Sequence, residues 1–203
     1  MSGQKTVTPT AESLAASVSA AKTRGLPPVE KWNPPFCGDL DMEIKRDGTW
    51  FYQGTPIGRM GLVKLFASIL IREDDDYFLV TPVEKVGIKV EDAPFVAIDF
   101  EAEGSGTDQT LTFQTNLGYI AVAGPDLPIR IERAPETGEP APYVRIRRNL
   151  EALIDRKSFY RLVELGQHHE GWFGVWSGGS FFGIIPLGPV RNSSRGAKAA
   201  LTG

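Results

Sequence analysis

Hydrophobic and polar residues alternate with period two through most of this chain, and in two places the spacing becomes helical. Met42-Glu43-Ile44-Lys45-Arg46 alternates, Asp47-Gly48 is a turn signal, and Thr49-Trp50-Phe51-Tyr52-Gln53 returns, which predicts a hairpin. Gly54-Thr55-Pro56 breaks the pattern, with Thr55 the predicted N-cap and Pro56 the first helical residue. Leu62, Leu65, Phe66, Ile69 and Leu70 follow as one apolar helical face. The acidic run Glu73-Asp74-Asp75-Asp76 is expected to end that helix, because carboxylates oppose the dipole at a helix C-terminus. Strands are predicted at 77–81, 86–90, 95–102, 110–114, 119–123, 129–132 and 143–147. Asn149 to Leu165 reads as a second helix, with Leu150, Leu153, Ile154, Phe159, Leu162 and Val163 inward. Strands Trp172 to Trp176 and Phe181 to Ile185 follow, joined by Ser177-Gly178-Gly179-Ser180.

The two helical runs share a pattern. Ile57, Arg59, Leu62, Lys64, Leu65 and Phe66 match Ile154, Arg156, Phe159, Arg161, Leu162 and Val163 in order and spacing, which raises an internal duplication. Ahead of the first hairpin lies Trp32-Asn33-Pro34-Pro35-Phe36-Cys37-Gly38-Asp39-Leu40-Asp41-Met42. Its prolines fix their own φ and extend the residue before each, so it reads as a rigid strap expected to lie across a seam between two lobes. Residues 1–24 are rich in Ser, Thr and Ala. Leu14, Val18 and Ala21 could line one side of a docked helix beginning at Thr8-Pro9; the stripe is thin, so a flexible tail over residues 1–24 and a docked helix stand as equal readings, while residues 191–203 read as a flexible tail.

Of the 203 residues, 41 % are hydrophobic and 23 % charged, enough for a folded core. The net charge of −3 argues against a nucleic-acid polymer as partner, which needs a basic face to displace counterions. No apolar run has the length of a membrane span, and residues 1–22 lack the apolar segment of a secretory signal. The cytoplasm is the expected compartment, with no membrane partner. The single cysteine, Cys37, excludes an internal disulfide and reads as a small buried hydrophobe.

Familiar catalytic signatures are missing. There is no phosphate loop, no dinucleotide-binding glycine turn and no nucleophile elbow. His168 and His169 are adjacent and read as an exposed loop pair, since neighbours do not readily face one metal. Asp39 and Asp41 fall on one side of an extended chain, where they suit a magnesium–phosphate site or a turn cap. Glu84 and Lys85 sit at a proline-broken turn between two apolar strands. Arg145 and Arg147 share a face with Tyr143, either solvated or ready for an anion. Trp50, Trp172 and Trp176 are core residues or stacking surfaces.

The strap, Asp47-Gly48-Thr49-Trp50-Phe51-Tyr52, Pro56-Ile57-Gly58-Arg59, Tyr77 through Asp99, Tyr143-Val144-Arg145, the expected Leu150–Gly166 helix and Gly174-Val175-Trp176-Ser177-Gly178-Gly179 together resemble the bacterial family of domain of unknown function 1285, over about residues 25–190. The resemblance implies an α+β fold of two small domains with duplicated strand–helix motifs. The second would be a mostly antiparallel barrel resembling a pleckstrin-homology (PH) domain, with a helix. We place the first domain at 25–76 and the second at 77–190. The resemblance also implies an interface pocket for a nucleotide-like small molecule and a role in signal transduction, with no catalytic residue and no cofactor assigned. The expected ligand contacts, read from the residues themselves, are Asp39, Asp41, Trp50, Arg59, Glu84, Lys85, Arg145 and Trp176. A metal-assisted phosphoesterase using Asp39 and Asp41, with Glu84 as base, and a protein-interaction scaffold are the alternatives. Oligomeric state is not set by the sequence.

Overall fold

The stiff segment after Trp32 becomes a strand at the centre of a sheet. The computed structural model describes residues 8–21 and 25–188. Helix α1 (Ala11–Ala20) and a 3₁₀ turn (Val29–Lys31) precede β1 (Phe36–Ile44), β2 (Trp50–Tyr52), β3 (Thr55–Pro56), α2 (Met60–Ser68), β4 (Leu70–Glu73), β5 (Asp76–Val80) and β6 (Lys85–Val90). These strands form a six-stranded sheet of order β3-β2-β1-β6-β5-β4. A second six-stranded sheet holds β7 (Phe95–Glu103), β8 (Thr110–Thr115), β9 (Ile120–Val122), β10 (Ile129–Arg133), β11 (Pro140–Arg147) and β12 (Leu150–Ile154), in the order β10-β11-β12-β7-β8-β9. Helix α3 (Arg156–Glu164) leads to a three-stranded sheet of β13 (Gln167–His169), β14 (Trp172–Ser177) and β15 (Ser180–Pro186). The fold is α+β, and the second sheet curls into a half-barrel.

The two large sheets have the same wiring. In each, the first and last strands (β1 and β6, β7 and β12) meet in the middle as a parallel pair, and every other neighbouring pair is antiparallel. The sequence reading divides the chain after residue 76, but β5 and β6 pair into the first sheet, so the change of sheet falls between Val90 and Phe95. The strap is therefore no cover over a seam. Its residues from Phe36 pair with β6, and Gly38, at φ +96°, sits where the ladder shifts register between Phe36 and Asp39.

Several local expectations change. Thr55 and Pro56 form a strand, and α2 starts later, with Arg59 as its N-cap residue. The acidic run is the turn between β4 and β5, with Asp74 at φ +51°. Leu150, Ala152 and Ile154 are buried in alternation, a strand pattern, so only the later part of 149–165 is helical, and Asp155 caps it by accepting from the Ser158 N–H at 2.8 Å. Of the two readings of the N-terminal segment, residues 11–20 follow the docked helix. Thr10 caps α1 in a reciprocal box with Ser13, and Ala11, Leu14 and Val18 are buried in the common core. The expected tail at 191–203 lies outside the described residues.

One core runs through both sheets. Trp50 stacks on Phe66, centroids 6.5 Å apart, beneath the first sheet, while Phe95, Phe100, Phe113 and Leu150 fill the second. The small sheet docks through Ser177, which is fully buried. Its hydroxyl donates to the Ala123 carbonyl (2.7 Å) and accepts from the Leu111 N–H (2.8 Å).

Candidate functional sites: two clefts and a polar seam

Polar contacts tie the halves together beside the core they share. Arg147 on β11 reaches the Ala67 carbonyl at the end of α2, its guanidinium lying 5.1 Å from the Tyr119 ring and 5.9 Å from Phe95. Burial pulls the Arg147 pKa below its ordinary value. Asn149 donates to the Arg72 carbonyl at 3.0 Å, and Arg148 pairs with Glu30. In the linker between sheets, Asp92 accepts from the Tyr143 hydroxyl (2.7 Å) and pairs with Arg46 Nε (3.2 Å). Burial, then the Asp92 carboxylate, drive the Tyr143 pKa up.

A cleft of about 500 Å³ opens at this junction. The first half contributes Arg46, from the turn between β1 and β2, and the second contributes residues of β11, β12 and α3. Pro142, Leu153 and Phe159 make its apolar part, and Glu139, Asp155 and Arg156 its charged part. Tyr160 stands at the wall, 55 % exposed, with its hydroxyl accepting from Arg156 Nε at 3.0 Å. Arg46 is held from two sides, because its backbone N–H also donates to Glu91 at 2.9 Å.

A second cleft, about 390 Å³, lies on the outer face of the first sheet. The register pairs Asp39 and Phe78 with Gly87 from either side. A Cβ on Gly87 would collide with the Asp39 carboxylate, so the glycine makes room for that carboxylate at the cleft. Phe36 and Phe78 meet edge to face at 6.1 Å, and the Lys85 ammonium sits 4.2 Å above the Phe78 ring while pairing with Glu73 at 2.5 Å. Asp76 completes the rim.

Of the eight residues expected to gather at one pocket, only Asp39 and Lys85 share a cleft. Asp41 is exposed farther along β1. Trp50 is core, 1 % exposed, and offers no stacking surface. Arg59 is exposed at the start of α2. Glu84 lies near Ser13 of α1; burial raises its pKa, opposed by that hydroxyl. Arg145 is half-buried in β11, opposite Glu151 of β12. Trp176 belongs to an aromatic cluster on the small sheet, with His169 and Phe181 centroids 4.8 and 5.3 Å away. The two histidines are in β13 rather than a loop, and Cys37 is exposed rather than buried. Among the described residues, no three His, Cys, Asp or Glu side chains converge as metal ligands, and no helix is long and apolar enough to cross a membrane.

Sequence reasoning passed over Arg46, Asp92 and Tyr160. The available signal was Glu91-Asp92-Ala93-Pro94, an acidic and proline-bearing break between two strand runs, the composition of a linker that ties lobes together.

The chain matches two family models. One, described as domain of unknown function (DUF1285), N-terminal domain, covers residues 27–93, and the other, protein of unknown function (DUF1285), C-terminal domain, covers 94–184. It is similar to the crystal structure of a DUF1285 family protein from Silicibacter pomeroyi DSS-3, at 63 % identity over 86 % of this chain and 95 % of that one, with a TM-score of 0.81. A DUF1285 family protein from Shewanella baltica OS155 is similar at 33 % identity over 62 % of this chain and 91 % of that one, with a TM-score of 0.50. No curated protein matches the chain.

Proposed function

The chain belongs to the DUF1285 family, and we propose that it is a non-enzymatic ligand-binding protein that takes a nucleotide-like small molecule between its two halves. The observation that carries this reading is the junction cleft, where Arg46 from one half faces β12 and α3 from the other. Clefts between lobes with few fixed polar groups on an apolar base are favoured ligand sites. Arg46, fixed by Asp92 and Glu91, would meet an anionic group, and Tyr160 with Phe159 would pack on a planar one. Because the ligand would touch both halves, binding would alter how they sit together, which suits a role in bacterial signal transduction.

We also read the halves as products of duplication, with the second half a PH-like barrel. The helix followed by a three-stranded meander, α2-β4-β5-β6, recurs as α3-β13-β14-β15, and the matched residues of the two helices keep their spacing. The metal-assisted phosphoesterase is less favoured. Asp39 and Asp41 lie on the exposed side of β1, whereas Glu84 lies beside α1.

The test is a thermal-shift screen of the full chain against a panel of nucleotides and nucleosides, repeated with Arg46→Ala and Arg156→Ala. A ligand of the native state raises the melting temperature with concentration. We expect a nucleotide-dependent shift that both substitutions reduce. A flat panel, or a shift that both variants retain, would overturn the reading.

A further inference from the structure

The cleft on the outer face of the first sheet has a charge pattern opposite to that expected for a nucleotide. Asp39 and Asp76 line it, and neither is in an ion pair among the described residues. Its one cation, Lys85, is already paired with Glu73. The wall is aromatic, and Phe36 is 58 % exposed, a large apolar side chain left open to solvent on a strand. The protein places its own ammonium in this setting, since Lys85 Nζ sits over the face of Phe78 with a carboxylate beside it. That arrangement is what a primary or substituted amine seeks, because the negative face of an aromatic ring and a nearby carboxylate both attract positive charge.

We propose that this cleft is a binding site for a small organic cation with an apolar body. The amine would lie against Asp39 and Asp76, with the body on Phe36 and Phe78. Gly87 lets the Asp39 carboxylate lie against the strand at the cleft, since any side chain there would force that carboxylate away. Lys85 acts as the resident occupant, so an arriving cation competes with it for Phe78.

This predicts opposite effects for two substitutions. Lys85→Met removes the competitor together with a positive charge, and binding of a cation should tighten. Asp39→Asn removes an attracting charge and should weaken it about threefold to fivefold, the size of one exposed charge pair. The probes are phenethylammonium and 3-phenylpropionate, which share an apolar body and differ in charge, titrated into the full chain and followed by amide chemical shifts. Expected are saturable shifts at Gly87 and Phe78 with the amine, a weaker response to the acid, and the two variant effects above. Tighter binding of the acid, loss of amine binding in Lys85→Met, or no amine-induced shift at these amides would overturn the proposal. Because Arg46 and Arg156 lie outside this cleft, failure here is distinct from failure at the junction.

Discussion

Ser177→Ala tests how the small sheet is held. The hydroxyl serves two backbone groups at once, the Leu111 N–H and the Ala123 carbonyl, and the residue is fully buried. Alanine fills nearly the same space, so the change removes hydrogen bonding with little loss of packing. Water cannot replace the oxygen at a fully buried position without opening the contact. Each orphaned buried group costs about 1–3 kcal/mol. Allowing for some relaxation, we expect a total near 2–4 kcal/mol. For a chain of this size, about 2–4 °C per kcal/mol gives a drop of roughly 4–16 °C in Tm. Gln109 Nε2 to the Trp176 carbonyl (2.8 Å) and the Gly178 N–H to the Gln109 carbonyl (3.0 Å) remain, so the sheet should stay attached. Urea unfolding followed by tryptophan fluorescence measures the loss, with Ser180→Ala, at the far end of the same turn, as the control. A Ser177→Ala protein within about 0.5 kcal/mol of the parent would refute the argument that this hydroxyl carries the docking.

Two further predictions concern the region beside α1. Leu14→Ala should cost roughly 2–4 kcal/mol in the same urea assay, because the side chain is fully buried in the common core; a freely moving N-terminal segment would give no change. Glu84→Gln should alter the pH dependence of stability. Burial raises the folded-state pKa of Glu84 above 4.5, so the folded protein holds that proton more tightly, and stability falls as pH rises from about 4.5 through the raised value. The Gln variant should therefore melt higher than the parent at pH 7, and that advantage should vanish below pH 4; an equal difference at both pH values would count against the burial argument.

Much of the strand layout was legible because alternation and turn residues coincide, as at Asp47-Gly48 and Ser177-Gly178-Gly179-Ser180. The misread places are those where a local rule met a tertiary one. Leu150 to Ile154 satisfies helical spacing, yet pairing with β7 and β11 makes it a strand. Thr55-Pro56 is a sound helix start by composition, but the chain first adds a short edge strand opposite β2. The thin stripe on α1 did not separate a tail from a docked helix, because its partners in the core, where Leu14 and Val18 are buried, come from distant elements. For the clefts, alternation put Asp39 and Asp41 on one side of an extended chain, and only strand order brought Phe78, Gly87 and Lys85 beside Asp39. The junction cleft depends on a contact between distant turns and helices, for which a single sequence holds no periodic signal.

The parallel pair at the centre of each large sheet bears on how the chain is made. As residues emerge in order, β1 and β7 are synthesised early and their permanent neighbours, β6 and β12, last. Until Val90 leaves the ribosome, one side of β1 from Phe36 onward is a bare edge, flanked by a hairpin only on the other side. The same holds for β7 until Ile154 appears. Each half thus stays open at its midline through nearly its whole translation, so a nascent chain is most exposed to wrong pairing at the strands that end up deepest within the sheets.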